Sequence, residues 1–356
     1  MTRADIAIVG AGVAGAGLAA ALAPHASVLL IEGEDTPGYH ATGRSAAFWS
    51  ETYGGPAIQP LTTASGPALA PFLQPLGSLH IGRAEDAAAI DAFLAEFADS
   101  PVVLETVEPA TSVPGLRADW TLGVLEPSCA YIDVAALHAE LLAIARRGGA
   151  RLLTGATLTG ASRQAGRWRL TTHAGEVDAG IVVDAAGAWA DPVARLCGAA
   201  PLGIQPYRRT VAQLRTDPPA PAGLPHVADI AGRFYFKPEA GGRLWLSPHD
   251  ETPCDPCDAA AEEIDVALAI DRFEGVVDWR VAAVERRWAG LRSFAPDRRP
   301  VYGYDAAVPG FFWCAGQGGF GIQTAPAASA LAAALLLGTA PPPDLDPDFY
   351  APTRFR

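Results

Sequence analysis

The sequence has a single lysine, Lys237, in 356 residues, and no run of basic residues. Its net charge is −13. A polyanion needs a basic face, so this balance argues against nucleic acid or an anionic membrane as a partner. Cysteine is sparse too: Cys129, Cys197, Cys254, Cys257 and Cys314. Five thiols in a chain of this length make no disulfide framework, which fits a reducing compartment. Cys254-Asp-Pro-Cys257 has the spacing of a redox or zinc pair. Zinc needs about four ligands, and no second CxxC or HxxxH lies nearby. The surrounding DETPCDPCDAAAEE reads as an exposed acidic loop, and no metal is expected. Long apolar runs are also few. Residues 6–23 carry no charge, but Gly10, Gly12, Gly15 and Gly17 interrupt them and only Arg3 precedes them. That is neither a membrane span nor a signal peptide. The run 327–337 is too short to span. The reading is a soluble, cytoplasmic protein.

What is present is apolar bulk and glycine. Half of the residues are hydrophobic, enough for a sizeable core, and the length favours two domains. IAIVGAGVAGAGLAAALAPHASVLLIEGED opens the chain. Residues 6–9 and 28–31 read as buried parallel strands, and 13–22 as an alanine-rich helix between them. Gly10, Gly12 and Gly15 form GxGxxG. Gly10 permits a tight turn, Gly12 lets the backbone approach a pyrophosphate, and Gly15 lets helix and strand pack closely. Glu32 ends the second strand, where an acid accepts a hydrogen bond from a ribose hydroxyl. An acid there disfavours a 2′-phosphate, and hence NADP; FAD and NAD stay open. The next segment, GYHATGRSAAFWSETYGGP at 38–56, crowds small residues around one arginine. Small side chains let a backbone come close to something flat or bulky.

Residues 6–54 resemble the D-amino-acid oxidase-like family of FAD enzymes, and look most like its bacterial D-arginine dehydrogenases. The resemblance lies in GAGVAG, in Ile31-Glu32, and in PGYHATGRSAA at 37–47. It recurs in ARLLTGATLTG at 150–160, in VVDAAGAW at 182–189, in WAGLRSFAPDRRPVYG at 288–303, and in FFWCAGQGGFGIQTAPAASALAAAL at 311–335. It implies non-covalent FAD rather than NAD. The implied cofactor contacts are Gly10, Gly12, Ala14, Gly15, Glu32, Thr42, Gly43, Arg44, Ser45 and Ala46, then Leu158 near the adenine, then Ala186, Gly187 and Trp189. Gly318, Gly319, Gly321, Ile322, Gln323 and Thr324 would bring a helix N-terminus to the flavin's pyrimidine end. A helix beginning near Arg44-Ser45-Ala46 is expected to pack by the isoalloxazine.

The implied fold class is α/β. A Rossmann-type FAD-binding domain (1–75, 140–200 and 300–356) interleaves with an α+β substrate domain (76–139 and 201–299) on a mostly antiparallel sheet. The pattern predicts helices over 133–147 and near 261–273, and strands at 207–214, 233–237, 243–247 and 280–289.

An amino or hydroxy acid needs its carboxylate fixed, and the arginine fork grips two oxygens. The resemblance places Arg209 and Arg292 at the substrate, with Tyr53 and Tyr235. Arg208 would face the opposite side of a strand from Arg209. Two positions depart from the D-arginine dehydrogenase pattern. Phe48 stands where that pattern has a histidine, and Ser78 where it has the acid that meets a basic side chain; His80 and Arg83 are near. A guanidinium buried without a carboxylate is costly, so D-arginine and D-lysine are disfavoured. His80 reads as a solvent-facing strand histidine, with substrate contact as the alternative.

The expected activity is FAD-dependent oxidation of the C–N bond of an amino acid, a D-amino acid without a strongly basic side chain. Hydride passes to flavin N5, and the imino acid hydrolyses to a keto acid and ammonia. Alternatives are a secondary amine of the sarcosine or glycine type, a 2-hydroxy acid, and a non-catalytic flavin-binding subunit of a larger complex. Oxygen, a quinone or another protein would each serve as electron acceptor.

Overall fold

The computed structural model describes residues 2–355. Strands Thr2–Val9 and Val28–Ile31 lie parallel inside an eight-stranded sheet. Burial on both faces is why they read as nearly continuous apolar runs. Gly175–Asp184 flanks the first strand, with Asp184 opposite Val9, and Phe311–Ala315 follows it in parallel. These strands end along one edge, where an open α/β sheet leaves a crevice for ligands. Leu158–Gln164, Arg167–Thr172 and Val301–Tyr304 extend the sheet in antiparallel fashion. The stretch 150–160 is two strands rather than one. Arg151–Leu153 runs beside Val28–Ile31, and Leu158–Gln164 begins after a turn in which Gly155 sits at φ +57 and donates to the Glu34 carbonyl.

Helix Val13–Leu22 is buried nearly all round. It packs against helices Val134–Arg147 and Gly321–Leu337. Its small residues are a condition of that packing: a Cβ on Gly17 would lie 2.5 Å from Ser329 Oγ. Asp133 caps helix Val134–Arg147 by accepting from the Ala136 amide at 2.9 Å, and Arg146 and Arg147 occupy its last turn.

The second sheet has ten strands and is mostly antiparallel, as the pattern predicts. Its spine is the long pair Gln205–Asp217 and Arg280–Phe294, continued by Arg243–Ser247 and Tyr235–Glu239. His226–Asp229 joins Ser78–Gly82 in parallel. Side chains alternate. Ala212, Leu214, Phe236 and Leu246 join one core with Val266, Ala269 and Phe273 of helix Glu263–Glu274. Arg209, Tyr235 and Arg292 fall on the other face, toward the first sheet.

A third, small sheet pairs Phe48–Trp49 and Leu73–Pro75 with Ala130–Ile132. It explains a correction. No helix begins at Arg44-Ser45-Ala46. Thr42–Arg44 is one 3-10 turn, the Ala47 amide donates to Ser45 Oγ at 3.0 Å, and Ala47 takes φ +60. The chain then runs extended into the Phe48–Trp49 strand, and the helix comes later, at Gln59–Leu69. Among the described residues, no helix is long and apolar enough to cross a membrane.

Candidate functional site

A cavity of about 360 Å³ lies along the edge where the parallel strands end. Gly10, Gly12, Ala14, Glu32, Thr42 and Ser45 line it, with Leu158, Ala186, Gly187 and Trp189. Gly318, Gly319, Gly321 and Ile322 line it as well. Gly10 sits at φ +101, and a Cβ there would stand 2.4 Å from the Ala185 carbonyl oxygen. A Cβ on Gly15 would stand 2.0 Å from the Gly10 carbonyl oxygen. Neither site accepts a side chain, so the turn stays flat against the cavity.

The helix that follows leaves its first amides without intrahelical acceptors. Val13 N–H donates to Thr42 Oγ1 at 3.0 Å, and the preceding Ala11 N–H to Glu32 Oε2 at 2.8 Å. Glu32 Oε1 accepts from the Glu34 amide at 3.0 Å. Gly12 and Ala14 complete an amide-rich wall suited to phosphate oxygens.

Several expected contacts are placed differently. Gly43 closes a turn by donating to the Gly38 carbonyl at 2.8 Å. Arg44 turns away from the cavity: its guanidinium pairs with Asp258, donates to the Ala259 carbonyl at 2.7 Å, and lies 5.0 Å from the Tyr39 ring. Gln323 Nε2 donates to the Tyr53 carbonyl at 3.0 Å and to Thr62 Oγ1 at 2.9 Å, tying the last helix to the Tyr53 segment. Thr324 Oγ1 donates back to the Phe320 carbonyl at 2.9 Å. Ala46 lines a second, smaller cavity.

That second cavity, of about 20 Å³, shares Ser45, Arg292, Gly319 and Ile322 with the first. Tyr53, Arg209, Tyr235 and Arg292 all line it, so the fold brings together four residues that are distant in sequence. Strand register explains how. Tyr207 lies opposite Arg292 and Arg209 opposite Gly290, so both arginines share a face. Arg208 points the other way, pairing with Glu262 and, at 2.9 Å, with Asp265 of the covering helix. Gly290 leaves room: a Cβ there would stand 3.0 Å from Arg292 Nη1.

The two guanidinium groups differ. Arg209 is 2 % exposed; its Nε donates to the Asp250 carbonyl at 2.7 Å and its Nη2 to Glu251 Oε1 at 2.9 Å. Arg292 is 7 % exposed and makes only a 3.4 Å contact to its neighbour's carbonyl, that of Leu291. Among the described residues no carboxylate pairs with it. Burial pulls its pKa down, opposed by the Tyr53 and Tyr235 hydroxyls. Burial raises the Tyr235 hydroxyl above its usual 10, although Arg209 and Arg292 act against it.

Sequence reasoning missed Glu251, Asp250 and Glu126. Glu126 is fully buried and accepts from Ser50 Oγ (2.8 Å), the Glu51 amide (2.6 Å) and Thr52 Oγ1 (2.6 Å). It fixes the segment that ends in Tyr53, and no spacing in the sequence signals this pairing. His80 is corrected: it faces inward, its ring 4.5 Å from Phe93, because helix Ala87–Glu96 covers that part of the sheet. Burial pushes it down to about 4. Arg83 lies elsewhere, 3.1 Å from Asp119 and over the Trp120 ring. Cys254 and Cys257 carry free thiols. Among the described residues, no group of three or more His, Cys, Asp or Glu is placed to hold a metal.

Beneath the cavity, Asp184 is fully buried. Oδ1 accepts from the Ala186 amide at 3.1 Å, and Oδ2 has no described partner. Burial raises its pKa well above 3.8. The folded value lies above the unfolded one, so the neutral acid's contribution to stability is full below 3.8 and is lost as pH rises through the folded value. Asp184→Asn removes that loss. Its Tm is expected to exceed wild type at pH 8 and to converge on it toward pH 4; parallel Tm curves would refute the assignment.

The comparisons with known proteins agree with this architecture. By structure the chain is similar to L-proline dehydrogenase from P. horikoshii (TM-score 0.87, 21% identity, 99% of this chain and 98% of that one). It is similar also to glycine oxidase from Geobacillus kaustophilus (TM-score 0.85, 24% identity, 99% of each chain). At these identities the likeness is one of fold. By sequence it is 26% identical to hydrogen cyanide synthase subunit HcnC of Pseudomonas aeruginosa over 57% of this chain and 48% of that protein. It is 27% identical to mitochondrial dimethylglycine dehydrogenase of Rattus norvegicus over 98% of this chain and 45% of that protein. The chain thus spans about half the length, or less, of the curated relatives it matches. The model of one family, described as FAD dependent oxidoreductase, matches residues 5–335, and the chain belongs to that family.

Proposed function

We propose that this FAD-dependent oxidoreductase oxidises the C–N bond of a small amino acid whose carboxylate is held by Arg292. One observation carries the reading: a buried guanidinium that pairs with no carboxylate among the described residues, at the junction of a cavity fit for FAD and a small aromatic one. A cation desolvated in this way calls for an anionic ligand. Arg209 adds a second positive group that Glu251 already orients. Tyr53 and Tyr235 supply hydroxyl groups on the same wall.

Residues Gly10, Gly12, Ala14, Gly15, Glu32, Thr42 and Ser45 would hold the pyrophosphate and ribose side of the FAD. Leu158, Ala186, Gly187 and Trp189 would hold its adenine side, and Gly318, Gly319, Gly321 and Ile322 its pyrimidine end. FAD, when bound, accepts the hydride lost from the substrate α-carbon. Among the described residues, those lining the small cavity include no His, Asp or Glu to serve as a carboxylate or imidazole base. Its task is to fix the carboxylate, aim the α-hydrogen and exclude water. The resulting imino acid hydrolyses to a keto acid and ammonia.

In this proposal FAD takes 1–75, 140–200 and 300–356, and the substrate sheet takes 76–139 and 201–299. The resemblance to D-arginine dehydrogenases supports a D-amino acid, but Ser78 stands where that pattern has its acid, and the nearby Glu126 is already held by Ser50, Glu51 and Thr52, which disfavours a basic side chain. A secondary amine of the sarcosine or glycine type uses the same arginines. Relatives whose names mention proline, glycine and dimethylglycine support that second reading. Five free thiols support a reducing, cytoplasmic setting.

The test is anaerobic titration of the purified holoenzyme with D- and L-amino acids, sarcosine and 2-hydroxy acids, followed in the visible flavin band. Bleaching by a small neutral amino acid is expected, and admission of air then separates oxidase from dehydrogenase. A flavin that only hydroxy acids bleach, or that nothing bleaches, would overturn the proposal; the second result would favour a non-catalytic flavin subunit.

A further inference from the structure

Phe48 lines the small cavity. Its ring lies 5.2 Å from Tyr53, 6.1 Å from Tyr235 and 4.5 Å from His226, tilted 33° to the last. Tyr53 and Tyr235 line the cavity, whereas His226 does not. The phenyl ring and the Tyr235 ring, which is 5.5 Å from the imidazole, therefore separate the substrate space from His226, with Phe48 the nearer of the two.

Behind it lies a cluster of polar side chains. Strands Ser78–Gly82 and His226–Asp229 run parallel, with His226 opposite Ser78. Ser78 Oγ is 2.9 Å from His226 Nδ1 and 3.5 Å from His80 Nε2, and Thr52 Oγ1 is 3.5 Å from the same His80 atom. His226 is 4 % exposed, and its Nε2 has no described hydrogen-bond partner. An imidazole nitrogen buried this way carries a desolvation cost with nothing to offset it. Burial pushes His226 down to about 3 and His80 to about 4, so both rings are neutral at ordinary pH and present hydrogen-bonding nitrogens rather than charge.

We propose that Phe48 is the specificity-determining plug of the substrate site and that His226 behind it is a neutral polar subsite. The plug restricts the enzyme to substrates with a hydrogen or a methyl-sized side chain. Displaced or shortened, it admits an uncharged hydroxyl or carboxamide side chain to His226 Nε2. A cationic side chain gains nothing there, since the cluster holds no acid toward it except Glu126, whose oxygens are taken by Ser50, Glu51 and Thr52. The inference rests on the proposed amino-acid oxidation and names its substrate class.

The test compares kcat/KM of the holoenzyme for glycine, alanine, serine and 2-aminobutyrate, in both enantiomers where they exist. Wild type should prefer glycine or alanine. Phe48→Ala should raise the serine-to-alanine ratio at least about tenfold, the span of one good hydrogen bond to a buried partner. Phe48→Ala/His226→Leu should lose that gain for serine and keep it for 2-aminobutyrate. A Phe48→Ala ratio within twofold of wild type, or a double variant that keeps the serine gain, overturns the inference while the oxidation itself stands. Wild type that oxidises none of the four but takes another amine overturns the inference, and wild type that oxidises no amine at all overturns the parent proposal instead. Should Phe48→Ala not fold, Phe48→Leu must shift the ratio in the same direction, and an unchanged ratio there is equally fatal.

Discussion

Arg292→Met is expected to raise KM for the amino acid about 100- to 1,000-fold, with a smaller fall in kcat. That range corresponds to about 3–4 kcal/mol, the usual cost of losing one partner of a desolvated, hydrogen-bonded charge pair. The split matters: a residue that grips a carboxylate holds ground state and transition state alike, so its loss shows first in KM. Stability should move the other way. Arg292 is a buried cation that forms no ion pair among the described residues, so removing it breaks no pair with an acid. Tm of Arg292→Met should equal or exceed wild type in the absence of substrate. Arg209→Met should behave differently, because it removes one of the two arginines that Glu251 holds, Arg298 being the other, and leaves the Asp250 carbonyl without its donor, so it should cost both KM and Tm. Free guanidinium chloride at millimolar concentration should restore part of the Arg292→Met activity and none of the Arg209→Met stability. An unchanged KM in Arg292→Met would end the carboxylate assignment. A lower Tm would mean that the guanidinium has a structural partner.

Legibility in the sequence followed the range of the interactions. The strand, glycine turn and helix at 2–22 could be read because each element announces itself within a few residues: apolar run, GxGxxG, alanine-rich stretch. Arg209 and Arg292 were singled out by the resemblance and not by any local rule; the strand's two-residue period adds only that Arg208 faces away from Arg209, and it turns to Glu262 and Asp265. The segment after Arg44 could not. Its extended course depends on pairing Phe48–Trp49 with Ala130–Ile132, about eighty residues away, and nothing local in RSAAFW opposes a helix. Glu126 was illegible for the same reason, since its partners Ser50, Glu51 and Thr52 lie on that distant segment. Lys237 shows the limit of composition. The only lysine in the chain is not on the surface: it is 1 % exposed, 4.4 Å from the Tyr131 ring and 4.1 Å from the Trp245 ring, with Glu239 at 3.4 Å. Aromatic faces and one acid compensate its burial, and none of the three is visible from a count of charges.

Gly15→Val is expected to yield protein with less than about a tenth of the wild-type flavin content after purification. The obstruction at Gly15 is backbone: a Cβ would stand 2.0 Å from the Gly10 carbonyl oxygen and 3.0 Å from its carbon. Gly10 is itself locked, at φ +101 against the Ala185 carbonyl. Neither side can yield, so the helix must lift from the strand, and the first-turn amides aimed at the cavity leave with it. Gly17 on the same helix provides the control. Its Cβ would meet Ser329 Oγ at 2.5 Å, the end of a side chain that can rotate. Gly17→Ala should therefore lose some Tm through helix packing yet keep its FAD. If the two variants lose flavin equally, the deficit comes from loosened helix packing in general rather than from the turn. If Gly15→Val keeps a full complement of FAD, the GxGxxG turn is not what holds the pyrophosphate. Adding FAD to each purified variant while following tryptophan fluorescence and Tm together separates these cases, because binding to the folded state raises Tm only where the cradle survives.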